Sequence, residues 1–142
     1  MNKVGIGVLM FVLAGLMAVT ALADGATELM TANVPFGFVV GHTEFPAGEY
    51  SISGSTLPNC IWIRGNGKVA NNLTMSSENR GSVDKSVLVF KRYGNTYFLV
   101  QVVDAGRGYS KQLTQSARER EAMIAAGKSN DKMAVVRIPA SR

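Results

Sequence analysis

From Ala32 onward, short apolar runs are interrupted by Gly, Pro and Asn at intervals of about ten residues. Runs of that length suit strands, and the breaks suit turns. The pattern predicts an all-β fold: an antiparallel β-sandwich or partly closed barrel of roughly six to eight strands, with one short helix late in the chain. The first expected strand covers Ala32 to Val40, because Val34, Phe36, Phe38 and Val40 fall on one side at the two-residue period. Pro35 lacks a backbone donor and marks an edge or an irregular start. Gly41-His42-Thr43-Glu44 and Phe45-Pro46-Ala47-Gly48-Glu49 read as turns, after which Tyr50 and Ile52 open a second strand.

Two hairpins are more sharply specified. Cys60-Ile61-Trp62-Ile63-Arg64 leads through Gly65-Asn66-Gly67-Lys68 to Val69, and Asn-Gly supplies the two positive φ angles of a type I′ turn. The second hairpin runs from Ser86 to Arg92, through Tyr93-Gly94-Asn95-Thr96, and back from Tyr97 to Val103. A two-residue Gly94-Asn95 loop pairs Tyr93 with Thr96, Phe90 with Leu99, Val89 with Val100 and Val87 with Val102. One face then carries Val87, Val89, Phe98, Val100 and Val102; the other carries Leu88, Phe90, Leu99 and Val103. Apolar residues on both sides predict a hairpin covered on both faces. Ser76 to Lys85 and Asp104 to Tyr109 read as loops. Ser116 and Glu119 have capping-box spacing, which predicts a helix of about ten residues ending at Gly127. Its Arg118-Glu119-Arg120-Glu121 run reads as a solvated face, with Ala117 and Ile124 toward the sheet. Met133 to Ile138 reads as a final strand.

Residues 1–23 have the parts of a secretory signal. Lys3 precedes an apolar run from Val4 to Val19, and Ala21-Leu22-Ala23 is a small-x-small cleavage site before Asp24. The run is shorter than the roughly 20 residues a membrane helix needs. The expected organisation is a signal over 1–23, a flexible leader over 24–31 and one β-rich domain over 32–142. The expected destination is the periplasm or the outside of the cell.

Composition narrows the chemistry. A formal net charge of +5 is mildly basic, well below that of a dedicated nucleic-acid binder, and no nucleic-acid partner is expected. One Cys and one His exclude an intrachain disulfide framework and a Cys/His zinc site. Cys60 reads as a buried small apolar residue, the alternative being a thiol that pairs between chains. His42 has no nucleophile nearby in sequence and only Glu44 beside it. The acids are scattered, and no calcium loop, phosphate loop or dinucleotide fingerprint is present, so neither metal nor cofactor is expected. Asn72-Leu73-Thr74 matches a glycosylation acceptor, a chance match if the secreted chain is bacterial and open again if it is eukaryotic. The most suggestive constellation is basic and aromatic. Arg92, Tyr93, Tyr97, Arg107 and Tyr109 lie around the second hairpin and the loop after it, and Arg with Tyr holds acidic polymers or stacks on sugar rings.

Pro35-Phe36-Gly37-Phe38-Val39-Val40-Gly41, followed by Phe45-Pro46-Ala47-Gly48-Glu49-Tyr50-Ser51-Ile52, resembles a group of small, secreted, β-rich bacterial proteins of unknown function. Their shared pattern is roughly V-P-F-x-F-x-x-G, then P-A-G-x-Y-x-I. The likeness covers about residues 32–125. It implies the fold and brings no catalytic residues with it. The function expected is that of an exported, non-enzymatic binding or structural component of the cell envelope or extracellular matrix. Its expected partner is an acidic polysaccharide, an anionic surface or an envelope protein. A small periplasmic hydrolase and a β-barrel carrier of an apolar ligand are the alternatives.

Overall fold

The computed structural model describes residues 28–54, 59–77, 84–129 and 133–141. The signal segment and its cleavage site at Ala21, Ala23 and Asp24 lie outside the described residues. Among those described, no helix is long and apolar enough to cross a membrane. The elements are β1 Glu28–Val34, β2 Phe38–Val40, β3 Thr43–Phe45, β4 Gly48–Gly54, β5 Cys60–Gly65, β6 Lys68–Ser77, β7 Val87–Tyr93, β8 Thr96–Asp104, β9 Tyr109–Leu113, α1 Ala117–Lys128 and β10 Ala134–Pro139. The fold is all-β with one short helix near the C-terminus.

Strands β1, β4, β5 and the first part of β6 form one antiparallel sheet. The second part of β6 continues into the other sheet, in the order β6-β9-β8-β7-β10. The two sheets meet again at a single bridge, where Thr31 and Ser141 exchange backbone hydrogen bonds of 2.7 and 2.9 Å. The two sheets are therefore joined along β6 and not closed on the other side, where among the described residues that bridge is their link. Strand β2 lies parallel to β8, and β3 pairs only with β2. Among the described residues there are ten strands rather than six to eight, and the sheet is mixed rather than purely antiparallel. The short β2–β3 hairpin accounts for both differences.

The expected strand over 32–40 is two strands. The chain breaks at 35–37, where Pro35 cannot donate to a ladder, and β2 then leaves for the second sheet. Residues 28–31 of the expected leader belong to β1, and Met30 is buried; residues 24–27 lie outside the described residues. Thr43 and Glu44 belong to β3; the loop between β2 and β3 is Gly41-His42 alone, with Gly41 at φ 60°. Ser76 and Ser77 belong to β6 rather than to a loop.

Both hairpin loops have the expected two residues. Asn66 and Gly67 have φ of 50° and 69°, the type I′ signature. In the second hairpin only Gly94 has a positive φ, at 60°, as a II′ loop requires. Tyr93 pairs with Thr96 and Phe90 with Leu99 as expected. A bulge then shifts the register, so that Val89 faces Gln101 and Val87 faces Val103. One extra residue reverses the faces beyond it. Val102 therefore joins Leu88, Phe90 and Leu99 in the interior. Val103 joins Val87, Val89, Phe98 and Val100 on the side toward the helix. The hairpin is covered on both faces.

The interior is filled by aromatic rings. Phe38 lies 5.0–5.3 Å, centroid to centroid, from Phe45, Tyr50 and Phe90, and all four side chains are at most 3% exposed. Helix α1 covers the outer face of β7 and β8 through Ala122 and Ala126. Ala117 and Ile124, expected to face the sheet, are exposed instead. Ser116 caps the helix as expected, its Oγ accepting the Glu119 N–H at 3.1 Å. The helix runs through Gly127 to Lys128 rather than stopping at the glycine.

Glu119 itself departs from expectation, being 7% exposed rather than solvated. Its Oε1 accepts the Tyr93 hydroxyl at 3.3 Å beneath the helix. Burial pushes the carboxyl above its ordinary range, against the lowering effects of the Tyr93 hydrogen bond and the Lys91 charge. The same burial, with the adjacent Glu119 charge, raises Tyr93. The neutral acid is the form the fold favours. Its stabilisation is complete below the unfolded-state pKa and is lost as pH rises through the higher folded value. Urea unfolding of Glu119→Gln and the native chain between pH 4 and 7 is expected to show the native chain losing stability relative to the variant as pH rises. Parallel pH profiles would assign the titration elsewhere.

Candidate binding groove

Of the expected basic and aromatic patch, Arg92, Tyr93, Tyr97 and Arg107 do not share one surface. Arg92 is exposed near the Gly94-Asn95 loop and pairs across the hairpin with Tyr97. Tyr97 is partly buried and stacks on Phe36, with centroids 3.9 Å apart. Tyr93 is buried at 4% exposure and holds Glu119, so it presents nothing to a ligand. Arg107 lies beyond the far end of β8, and its Nε sits 4.0 Å from Asp104 Oδ2. Tyr109 opens β9 opposite Asp104. Seven strand residues separate the Arg92 and Arg107 ends, roughly 20 Å at 3.3 Å per residue. Nearness in sequence placed these side chains around one hairpin, but its two ends and two faces separate Arg92, Tyr93, Tyr97 and Arg107.

Cys60 is buried at 6% exposure, with its Sγ toward the Ile61 carbonyl oxygen at 3.8 Å. That burial closes the thiol to a second chain unless the segment opens. Glu44, the only acid near His42 in sequence, is engaged elsewhere. Its carboxylate pairs with Arg118 of α1, and this hydrogen bond and charge hold it below the usual carboxylate range. Among the described residues, no group of three or more His, Cys, Asp or Glu side chains is placed to hold a metal ion.

A different feature emerges where the second sheet is incomplete. Strand β9 pairs with β6 only over Thr74 to Ser77, and the chain turns away after Leu113 toward α1. The β2–β3 hairpin stands opposite the uncovered half of β6. Between them lies a groove of about 570 Å³. Its floor and walls combine Val40, Trp62, Val69 and Leu73 with the amides of Asn71, Asn72 and Gln115. His42 and Thr43 form the hairpin rim, and Thr114 and Ser116 close the helix end. Lys68 Nζ donates to the Glu44 carbonyl oxygen at 2.7 Å and ties the two walls together.

The rim is unusually apolar for an outer surface. Leu73, Met75 and Val69 are 65%, 62% and 53% exposed on one face of β6, with Asn71 between Val69 and Leu73. Trp62, opposite Asn71 on β5, adds a half-buried indole with the Arg64 guanidinium 5.6 Å from the ring centroid. Exposed apolar side chains beside a groove make it the candidate binding surface. Sequence reasoning placed Trp62 and Val69 in a hairpin but did not single out the groove. The alternation Val69-x-x-x-Leu73-x-Met75 was its one local trace.

No family model matches the chain, and neither the curated proteins nor the solved structures include a significant match. The fold and the groove are therefore the basis for reading function.

Proposed function

We propose that the chain is an exported, non-enzymatic binding or structural component of the cell envelope or extracellular matrix, and that the groove between β6 and the β2–β3 hairpin is where it binds. The observation that carries this reading is the exposure of Val69, Leu73 and Met75 beside a lining of amides and hydroxyls. Exposed apolar side chains of this size lower the free energy of the protein when a partner covers them, at about 25 cal/mol per Å². Amides and hydroxyls at the rim then fix the partner's orientation. The export part of the reading rests on the signal-like segment over 1–23.

Co-sedimentation with purified envelope and exopolysaccharide tests it, using protein recovered from the host's periplasm or medium. Trp62→Ala combined with Leu73→Ser is expected to weaken pelleting by about tenfold or more, as truncation of central interface side chains does. Arg92→Gln combined with Arg107→Gln is expected to leave it nearly unchanged, since neither side chain lines the groove. Loss of pelleting in the arginine variant, with none in the groove variant, would move the site to the basic residues.

A further inference from the structure

Resting on that reading of the groove, we infer that it is a strand-addition site whose occupant is an extended, uncharged segment of a partner polypeptide, pairing with β6 along Val69–Leu73. The argument begins with backbone direction. The Leu73 carbonyl oxygen accepts the Thr114 N–H at 3.0 Å and the Thr114 hydroxyl at 3.2 Å, so it points away from β5. The Thr74 N–H donates to the Asn59 carbonyl at 2.7 Å, on the opposite side. Main-chain groups alternate sides along a strand. The N–H and C=O of Asn71 and Val69 therefore face the groove, where β6 has no ladder partner among the described strands.

The opposite wall is also a strand edge. Val40 and Thr43 flank the two-residue loop and face each other, so the main-chain groups of Glu44 turn outward from β2. The Lys68–Glu44 hydrogen bond shows that this carbonyl faces β6. An open edge with apolar side chains at alternate positions is a template for another strand. Proteins usually protect such edges with Lys, Pro or a bulge. From Val69 to Leu73 the edge has none of these, and Lys68 at its end is turned to Glu44.

The lining also selects the kind of segment. Among the described residues, His42 is the one titratable side chain lining the groove, and the nearby Arg118 is paired with Glu44. A charged residue seated there would lose its water without gaining a counter-charge. A glycan is less well served. Arg64 lies over the Trp62 ring, where a sugar would stack, whereas the free groups of Val69 and Asn71 repeat at strand spacing.

The test is amide hydrogen exchange on the isotopically labelled protein with a capped, uncharged hexapeptide of alternating threonine and valine at about 1 mM. The expected result is that exchange at Val69 and Asn71 slows about tenfold or more. The same peptide N-methylated at alternate residues is expected to protect neither. In Asn71→Pro the groove-facing donor is gone while the β5 ladder is intact, and peptide affinity is expected to fall. Equal protection by the N-methylated peptide would overturn the proposal. Protection of the same amides by a neutral oligosaccharide, with none by the peptide, would replace it with a glycan site. If the peptide fails while Trp62→Ala with Leu73→Ser still abolishes envelope binding, strand addition falls and the groove remains the binding site. If both fail, both readings fall.

Discussion

Phe38→Ala is expected to destabilise the domain by about 3–5 kcal/mol, the range for truncating a buried phenylalanine. Phe38 is the shared member of the interior aromatic cluster. It stacks on Phe45 with rings 13° from parallel and meets Tyr50 and Phe90 edge-on, at 83° and 73°. Removing it leaves three rings without their common neighbour, and β2 is too short to close the space by shifting. Against a typical stability of about 5–15 kcal/mol, the loss is a large fraction of the total. The melting temperature is expected to fall by roughly 15–25 °C, measured by circular dichroism. A fall of only a few degrees would mean that the cluster collapses around the gap.

The second large effect is expected from a single added methyl group. A Cβ at Gly65 would lie 2.5 Å from the Glu49 carbonyl oxygen and 2.5 Å from Tyr50 Cδ1. Neither has room to retreat. The carbonyl belongs to β4, and the Tyr50 ring is fixed at its far end, where its hydroxyl donates to the Pro46 carbonyl and accepts from Asn66 Nδ2 at 2.8 Å. A tyrosine bonded back to its own corner in this way fastens strand to turn. Gly65→Ala is therefore expected to cost about 2–3 kcal/mol in urea unfolding. Gly54→Ala is the matched control, because nothing lies within 4 Å of the added Cβ, and a change within about 0.5 kcal/mol is expected there. A change at Gly65 no larger than that at Gly54 would show that the neighbouring atoms move aside and the collision is relieved.

Local chemistry explains which parts of the fold were legible in the sequence. Asn66-Gly67 and Gly94-Asn95 set their loops because few residues adopt the required φ angles. Ser116 sets a helix start because its hydroxyl satisfies an otherwise unpaired N–H. The bulge was not legible. Val100, Val102 and Val103 keep apolar groups on both faces in either register, so the pattern does not distinguish them. The break at 35–37 was half legible: Pro35 announced an irregularity, but the two-residue period continues through it. The groove beside β6 was the least legible. It depends on where β9 stops and on the parallel pairing of β2 with β8, both set by contacts distant in sequence. The burial of Tyr93 and Glu119 was hidden for the same reason, since each sits in a run of residues that are ordinarily solvated.

The ten-residue strand β6 has a consequence for how the molecule comes apart. Its first six residues pair with β5 and its last four with β9. Neither sheet detaches as a folded unit without rupturing the strand that belongs to both, so the protein has no seam along which half of it could survive. Denaturation should be one concerted event rather than a stepwise loss of sheets.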